Sequence, residues 1–141
     1  MLRTVLLALV AAAGLEHRLG FDLRYIPDED LAGYLSAADI VVFPYREIDA
    51  SGAFALAVAA GKPVVASAIG VFSEPPASER IRLVPPDDPP SLARALAELV
   101  GDPAARARLA EGSRAMRQNL VSWDAFASQC MAFYHERIAK R

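Results

Sequence analysis

One segment restricts the fold more than any other: DIVVFPYREIDASGAFALAVAAGKPVVAS, Asp39 to Ser67. DIVVFPY (Asp39–Tyr45) is a continuous apolar run, the pattern of a strand covered on both faces. The polar loop Arg46–Ser51 follows, then a helix from about Ser51 to Ala60 with no polar side chain on any face. A helix apolar all round is expected to be buried all round. Gly61 ends it, and PVVAS (Pro63–Ser67) is a second apolar strand. Two such strands joined through a helix imply a parallel pair with a right-handed crossover, which places helices over the sheet.

The flanking sequence extends this unit. FDLRYI (Phe21–Ile26) alternates and reads as a strand broken by Pro27. Asp28 is suited to cap the next helix, with Glu29 and Asp30 in its first turn and Leu31, Tyr34, Leu35 and Ala38 on one face. IRLVPP (Ile81–Pro86) reads as a fourth strand, and Ala68–Arg80 is the least regular segment. Three helices then close the chain. Asp88–Pro89 and Asp102–Pro103 are paired cap-and-proline signals, and Ser122 is placed to cap the last helix. That helix carries Trp123, Phe126, Cys130, Phe133 and Tyr134 at helical spacing, read as a packing stripe. The expected fold is α/β: a partial Rossmann-like three-layer unit with a short parallel sheet of about four strands and helices on both faces. The expected organisation is one partial domain over residues 1–141, with a leading helix (1–20), a strand–helix core (21–86) and C-terminal helices (87–141). MLRTVLLALVAAAG has the outline of a secretory signal but also reads as a buried helix, Leu2–Gly14, and the α/β pattern that follows favours the helix.

A formal charge of −2 supplies no basic field for nucleic acid. One cysteine, Cys130, excludes an internal disulfide framework, and His17 and His135 have no metal-ligand spacing. The acidic pairs in PDED (Pro27–Asp30) and PDDP (Pro86–Pro89) stand where helices begin, so capping explains them better than a metal does. Lys62 lies on the amino side of its strand and reads as a surface lysine.

In open α/β sheets, ligands bind beyond the carboxyl ends of the strands, which is where Arg46–Ser51 lies. The helix that starts there has amides without intrahelical partners and a partial positive charge, suited to a phosphate. Gly52 lets a ligand approach the backbone, and Ser51 can cap the helix or bond the phosphate. Glu47 and Asp49 only accept hydrogen bonds, which suits hydroxyl-rich groups such as a sugar or ribose. The physics is that of a nucleotide-sugar site, with an ordinary capped helix beside two solvated acids as the alternative.

YIPDEDLAGYLSAADIVVFPYREIDASGAFALAVAAGKPVVASAIGVFSE resembles the nucleotide-sugar-binding half of GT-B glycosyltransferases, in particular the retaining family 4 (group 1) enzymes. PDEDLAGYLSAAD, VVFPYRE and AAGKPVVAS, with Gly70 and Glu74 after them, carry the likeness, which covers about Phe21 to Tyr134. The resemblance implies transfer of a sugar from a nucleotide-sugar to a glycan or lipid-linked acceptor, without a metal or other cofactor. It implies Glu47 as the catalytic-site glutamate touching the donor sugar. It also implies donor contacts from Arg46, Asp49, Ser51, Gly52 and Ala53, with the base held near Tyr25 and Ile26. It places such a protein in the cytoplasm, peripherally at the inner membrane face. Two departures stand out: the family's second glutamate falls at Leu56, and one extra loop residue displaces Glu47. The resemblance further implies a partial enzyme, inactive alone, with a missing N-terminal domain or another partner covering an exposed sheet edge. The rival reading is a non-catalytic flavodoxin-like interaction or signalling domain, although Lys62–Pro63 precedes its strand where a response-regulator receiver has Lys-Pro after one.

Overall fold

In the computed structural model, residues 12, 14, 17–117 and 123–139 are described, apart from the side chains of residues 123, 125 and 139. The chain divides into two compact units, residues 1–31 and 32–141. In the first unit, Arg24 pairs with Asp22 at 3.2 Å and with Asp30 at 2.8 Å.

Phe21–Ile26 forms no strand, which corrects the four-stranded expectation. Alternation permits a strand, but only a ladder partner makes one. Here Phe21, Leu23 and Tyr25 are exposed and no ladder forms. Helix α1 spans Asp28–Ala37, and the Pro27 carbonyl accepts from the Asp30 and Leu31 amides at 3.0 and 3.3 Å. Asp28 thus belongs to the first turn, one place later than the capping position expected of it.

The second unit holds a three-stranded parallel sheet in the order β1 (Val41–Phe43), β2 (Val64–Ser67), β3 (Arg82–Val84). Val41 faces Val64, and Val65 faces Arg82. Each strand is shorter than its apolar run; Pro44 and Pro85 follow β1 and β3 directly, and proline cannot donate to a ladder. Between β1 and β2 runs α2 (Gly52–Ala59). After β2, two 3-10 turns, Gly70–Ser73 and Ala77–Glu79, occupy the segment read as irregular. Helices α3 (Pro89–Gly101), α4 (Pro103–Arg117) and α5 (Trp123–Ala139) follow β3. Ser122 lies outside the described residues.

The period of two along the strands sorts their side chains into two cores. Phe43, Val64 and Ala66 pack with Phe54, Val58 and Phe72 on the α2 side. Val65 and Val84 pack with Ala95 and Leu99 of α3 on the other side. Helix α4 serves both, giving Met116 to the first core and Ala105 and Leu109 to the second.

Two burial expectations fail. Helix α2 buries Phe54, Ala57 and Val58, while Leu56 is 45% exposed. Its composition allows complete burial, but sheet and α4 cover only part of its circumference. Of the α5 stripe, Phe126, Phe133 and Tyr134 are exposed and Cys130 is half-buried. Helical spacing defines a face and says nothing of what meets it.

Candidate functional site

The carboxyl ends of the three strands release three loops side by side. The first, Pro44–Ser51, leads into α2; the second, Ala68–Ile69, leads into a 3-10 turn; the third, Pro85–Asp88, leads into α3. An aromatic cluster supports the first two. Phe72, fully buried, lies 5.8 Å from Phe43, 5.1 Å from Phe54 and 5.9 Å from Tyr45 between ring centroids. These rings tie the end of β1, the start of α2 and the turn after β2 into one support. Gly70 fixes the second loop against the first. Its φ is +46°, and a Cβ there would stand 2.2 Å from the Ile48 carbonyl oxygen, so only glycine fits.

The helix start is built locally. Ser51 is the N-cap of α2, and its Oγ accepts from the Phe54 amide at 3.1 Å. The Ala55 amide donates to the Ser51 carbonyl at 3.1 Å. This leaves the Gly52 and Ala53 amides, the first two of the helix, without intrahelical partners, on exposed residues. A side chain at position 52 would meet no protein atom within 4 Å, so the approach to these amides is open. Glu47 and Asp49 are exposed on the loop just before. Arg46 donates to Asp87 Oδ1 at 2.8 Å, an ion pair joining the first and third loops.

Six of the expected site residues, Arg46, Glu47, Asp49, Ser51, Gly52 and Ala53, thus lie on one loop–helix junction at the carboxyl edge. Tyr25 and Ile26 belong to the other compact unit and end no strand; Tyr25 is 83% exposed. Two hollows flank the junction. One, of about 380 Å³, has Ser51, Phe54, Val71, Glu74 and Pro76 among its lining residues. The other, of about 180 Å³, touches the ends of all three strands through Pro44, Ser67 and Val84, with Arg46, Asp87 and Asp88 beside them.

Ser67 and Phe72 were not singled out by the sequence reading, and Asp87 entered it only as one of the acidic pair in PDDP, read as capping. Asp87 has φ +55°, a conformation aspartate tolerates better than most residues. Nothing local signals its pairing with Arg46, 41 residues away. The two aspartate caps do follow their local signals. Asp88 accepts from the Ser91 hydroxyl at 2.6 Å and the Ser91 amide at 3.0 Å, and Asp102 accepts from the Ala105 amide at 2.9 Å. These bonds hold both carboxyls below the ordinary aspartate range, led by the Ser91 hydroxyl for Asp88 and the Ala105 amide for Asp102. Lys62 is more than a surface lysine. Its Nζ donates to the Ser36 and Ala38 carbonyls, both at 3.0 Å, and closes the end of α1. Among the described residues, no helix is long and apolar enough to cross a membrane.

A short parallel sheet sandwiched by helices, with an open helix start at its carboxyl edge, defines the Rossmann-like C-terminal domain of the GT-B fold. The chain aligns over 86% of its length, at a TM-score of 0.72 and 22% identity, with the C-terminal domain of a glycosyl transferase group 1 family protein from Francisella tularensis, covering 63% of that chain. It aligns over 99% of its length with sucrose-phosphate synthase from Thermosynechococcus elongatus, at a TM-score of 0.82 and 34% identity, covering 35% of that chain. Residues 5–102 match the family described as Glycosyl transferases group 1, and the chain belongs to that family. A D-inositol 3-phosphate glycosyltransferase of Salinispora tropica is 36% identical over 97% of this chain. An MMP alpha-(1->4)-mannosyltransferase of Mycolicibacterium hassiacum is 33% identical over 82% of it. The chain spans 28% of the length of each of these two relatives.

Proposed function

We propose that this chain is the donor-binding portion of a retaining glycosyltransferase that moves a sugar from a nucleotide-sugar to a glycan or lipid-linked acceptor. The observation that carries the reading is the start of α2. Two unpartnered amides, an exposed glycine and a serine cap stand at the carboxyl edge of a parallel sheet in a chain of this family. In this reading the Gly52 and Ala53 amides and the positive end of α2 receive the diphosphate, with the Ser51 hydroxyl beside them. They stabilise the charge that grows on the leaving group as the sugar departs. Glu47 meets the donor sugar, and Arg46 and Asp49 offer further polar contacts. No metal or other cofactor is needed for this step. With relatives about three times as long or longer, transfer itself calls for an acceptor-binding domain, and this chain alone binds donor weakly and transfers nothing. The reading places the protein in the cytoplasm, at the inner face of the membrane.

The test is calorimetric and thermal-shift titration with UDP-, GDP- and ADP-sugars on the wild-type chain and on Glu47→Ala and Gly52→Val. A Cβ at 52 has open space around it, so valine there is suited to block ligand approach while leaving the fold in place. The expected result is a shift with one nucleotide, lost in both variants. No shift with any nucleotide, on a folded chain, would instead leave an interaction domain on a glycosyltransferase fold.

A further inference from the structure

We infer that Leu56 makes donor recognition indifferent to the ribose hydroxyls, so that the chain binds the 2′-deoxy and ribo forms of its nucleotide alike. The inference rests on the donor reading above and deepens it. It starts from the side of α2 that neither the sheet nor α4 covers. Phe54, Ala57 and Val58 are buried, and the helical period gathers Gly52, Ala53, Leu56 and Ala60 on the exposed side. Leu56 stands in the middle of this strip and is 45% exposed. The strip begins at the two unpartnered amides, and none of its four side chains can give or take a hydrogen bond.

A nucleotide-sugar has one group on each side of its diphosphate, and the start of α2 has two sides to meet them. Glu47 and Asp49 stand on the loop ahead of the start, and the donor reading gives them the sugar. The nucleoside is left with the helix side. Leu56 lies four residues past Gly52, about 6 Å along the axis, and so one group beyond the diphosphate. A ribose there rests its C–H face on the leucine methyls, and its hydroxyls stay in water. Glu74 belongs to another side of α2, where it lines the larger hollow with Phe54, Ala55 and Val58. The difference has a large effect on specificity. A site that bonds a substrate hydroxyl keeps an unpaired polar group when that hydroxyl is missing, and so rejects the deoxy analogue strongly. An apolar contact has nothing to leave unpaired.

The test titrates the isotope-labelled chain with UDP, GDP and ADP and with their 2′-deoxy counterparts, followed by amide chemical shifts at Ser51 to Leu56. Wild type, Leu56→Ala and Leu56→Glu are compared, each with the amide dispersion of a folded chain. For the base that binds, the ribo and deoxy forms should agree within threefold in wild type. Leu56→Ala should weaken both forms severalfold and equally, because an apolar contact common to both is lost. Leu56→Glu should favour the ribo form by more than threefold, since its carboxylate accepts from the hydroxyls. The ratio of the two forms is the readout, so repulsion of the diphosphate by the added carboxylate cancels. Binding with a ribo preference above threefold in wild type overturns the inference and leaves the donor reading standing. So does unchanged binding in Leu56→Ala, or a Leu56→Glu chain that gains no preference. Binding of none of the diphosphates overturns the donor reading, and the inference with it.

Discussion

Gly70→Ala tests whether the loop ahead of α2 is held in place by a backbone contact. Two costs add at this position. The left-handed φ of +46° disfavours any side chain, by about 1–2 kcal/mol for alanine. The new Cβ would also begin 2.2 Å from the Ile48 oxygen, where real Cβ atoms keep beyond 3.0 Å. Backbone meets backbone here, so no side chain can swing away, and overpacking of this kind costs about 1–3 kcal/mol. Together they amount to roughly 2–5 kcal/mol, a fall in Tm on the order of 10 °C for a domain of this size. Ile48 lies between Glu47 and Asp49, so the displaced loop should also weaken nucleotide-sugar binding. Gly112→Ala is the control. Its Cβ would meet the Arg80 carbonyl oxygen at 2.5 Å, on α4 and away from the junction, so it should lower Tm and leave donor affinity unchanged. Circular dichroism melts and calorimetric titration of both variants decide the matter. A Gly70→Ala protein melting within about 2 °C of wild type, with undiminished binding, would refute the reasoning.

Three further outcomes are expected. Lys62→Met removes two charge-assisted hydrogen bonds to the end of α1; with partial exposure taken into account it should cost about 1–2 kcal/mol in urea unfolding, with an unchanged m-value. Phe72→Ala, at the centre of the aromatic cluster, should cost about 3–5 kcal/mol in the same assay and be the most damaging of these substitutions. Asp88 and Asp102 ionise more readily folded than unfolded, so their contribution is present above the ordinary aspartate range and is lost as pH falls through their lowered values. Urea midpoints measured on acidification should therefore drop less steeply in the Asp88→Asn, Asp102→Asn double variant.

What could be read from the sequence was what is decided locally. Ser51, Asp88 and Asp102 cap helices through bonds spanning three residues, and such bonds leave a spaced signature. Strands β1 and β2 were legible because burial on both faces demands unbroken apolar runs. The failures were decided at a distance. Phe21–Ile26 has the alternation of a strand without a ladder partner among the described residues, and Leu56, Phe133 and Tyr134 have helical spacing but stay exposed. At the candidate site, the loop and helix start were legible as one contiguous stretch. Asp87 and Ser67 reach the carboxyl edge only through strand order and register, which no local pattern prints.

The two ends of the sheet are secured unequally. At the amino end, Lys62 binds the end of α1, Ser113 donates to the Lys62 carbonyl at 2.6 Å, and Arg117 reaches the Ala59 carbonyl at 3.3 Å. At the carboxyl end, the side-chain hydrogen bond between loops is the exposed Arg46–Asp87 pair. Apart from Gly70 and Phe72, change at the exposed loop side chains of the carboxyl end is therefore cheaper than change at the amino end. The hydrogen bonds from Lys62 to α4 contribute to stability, while exposed positions such as Arg46, Glu47 and Asp49 can be exchanged with little loss of it. A fold divided in this way can change what its exposed loops meet by substitution there, without having to rediscover how to stand up.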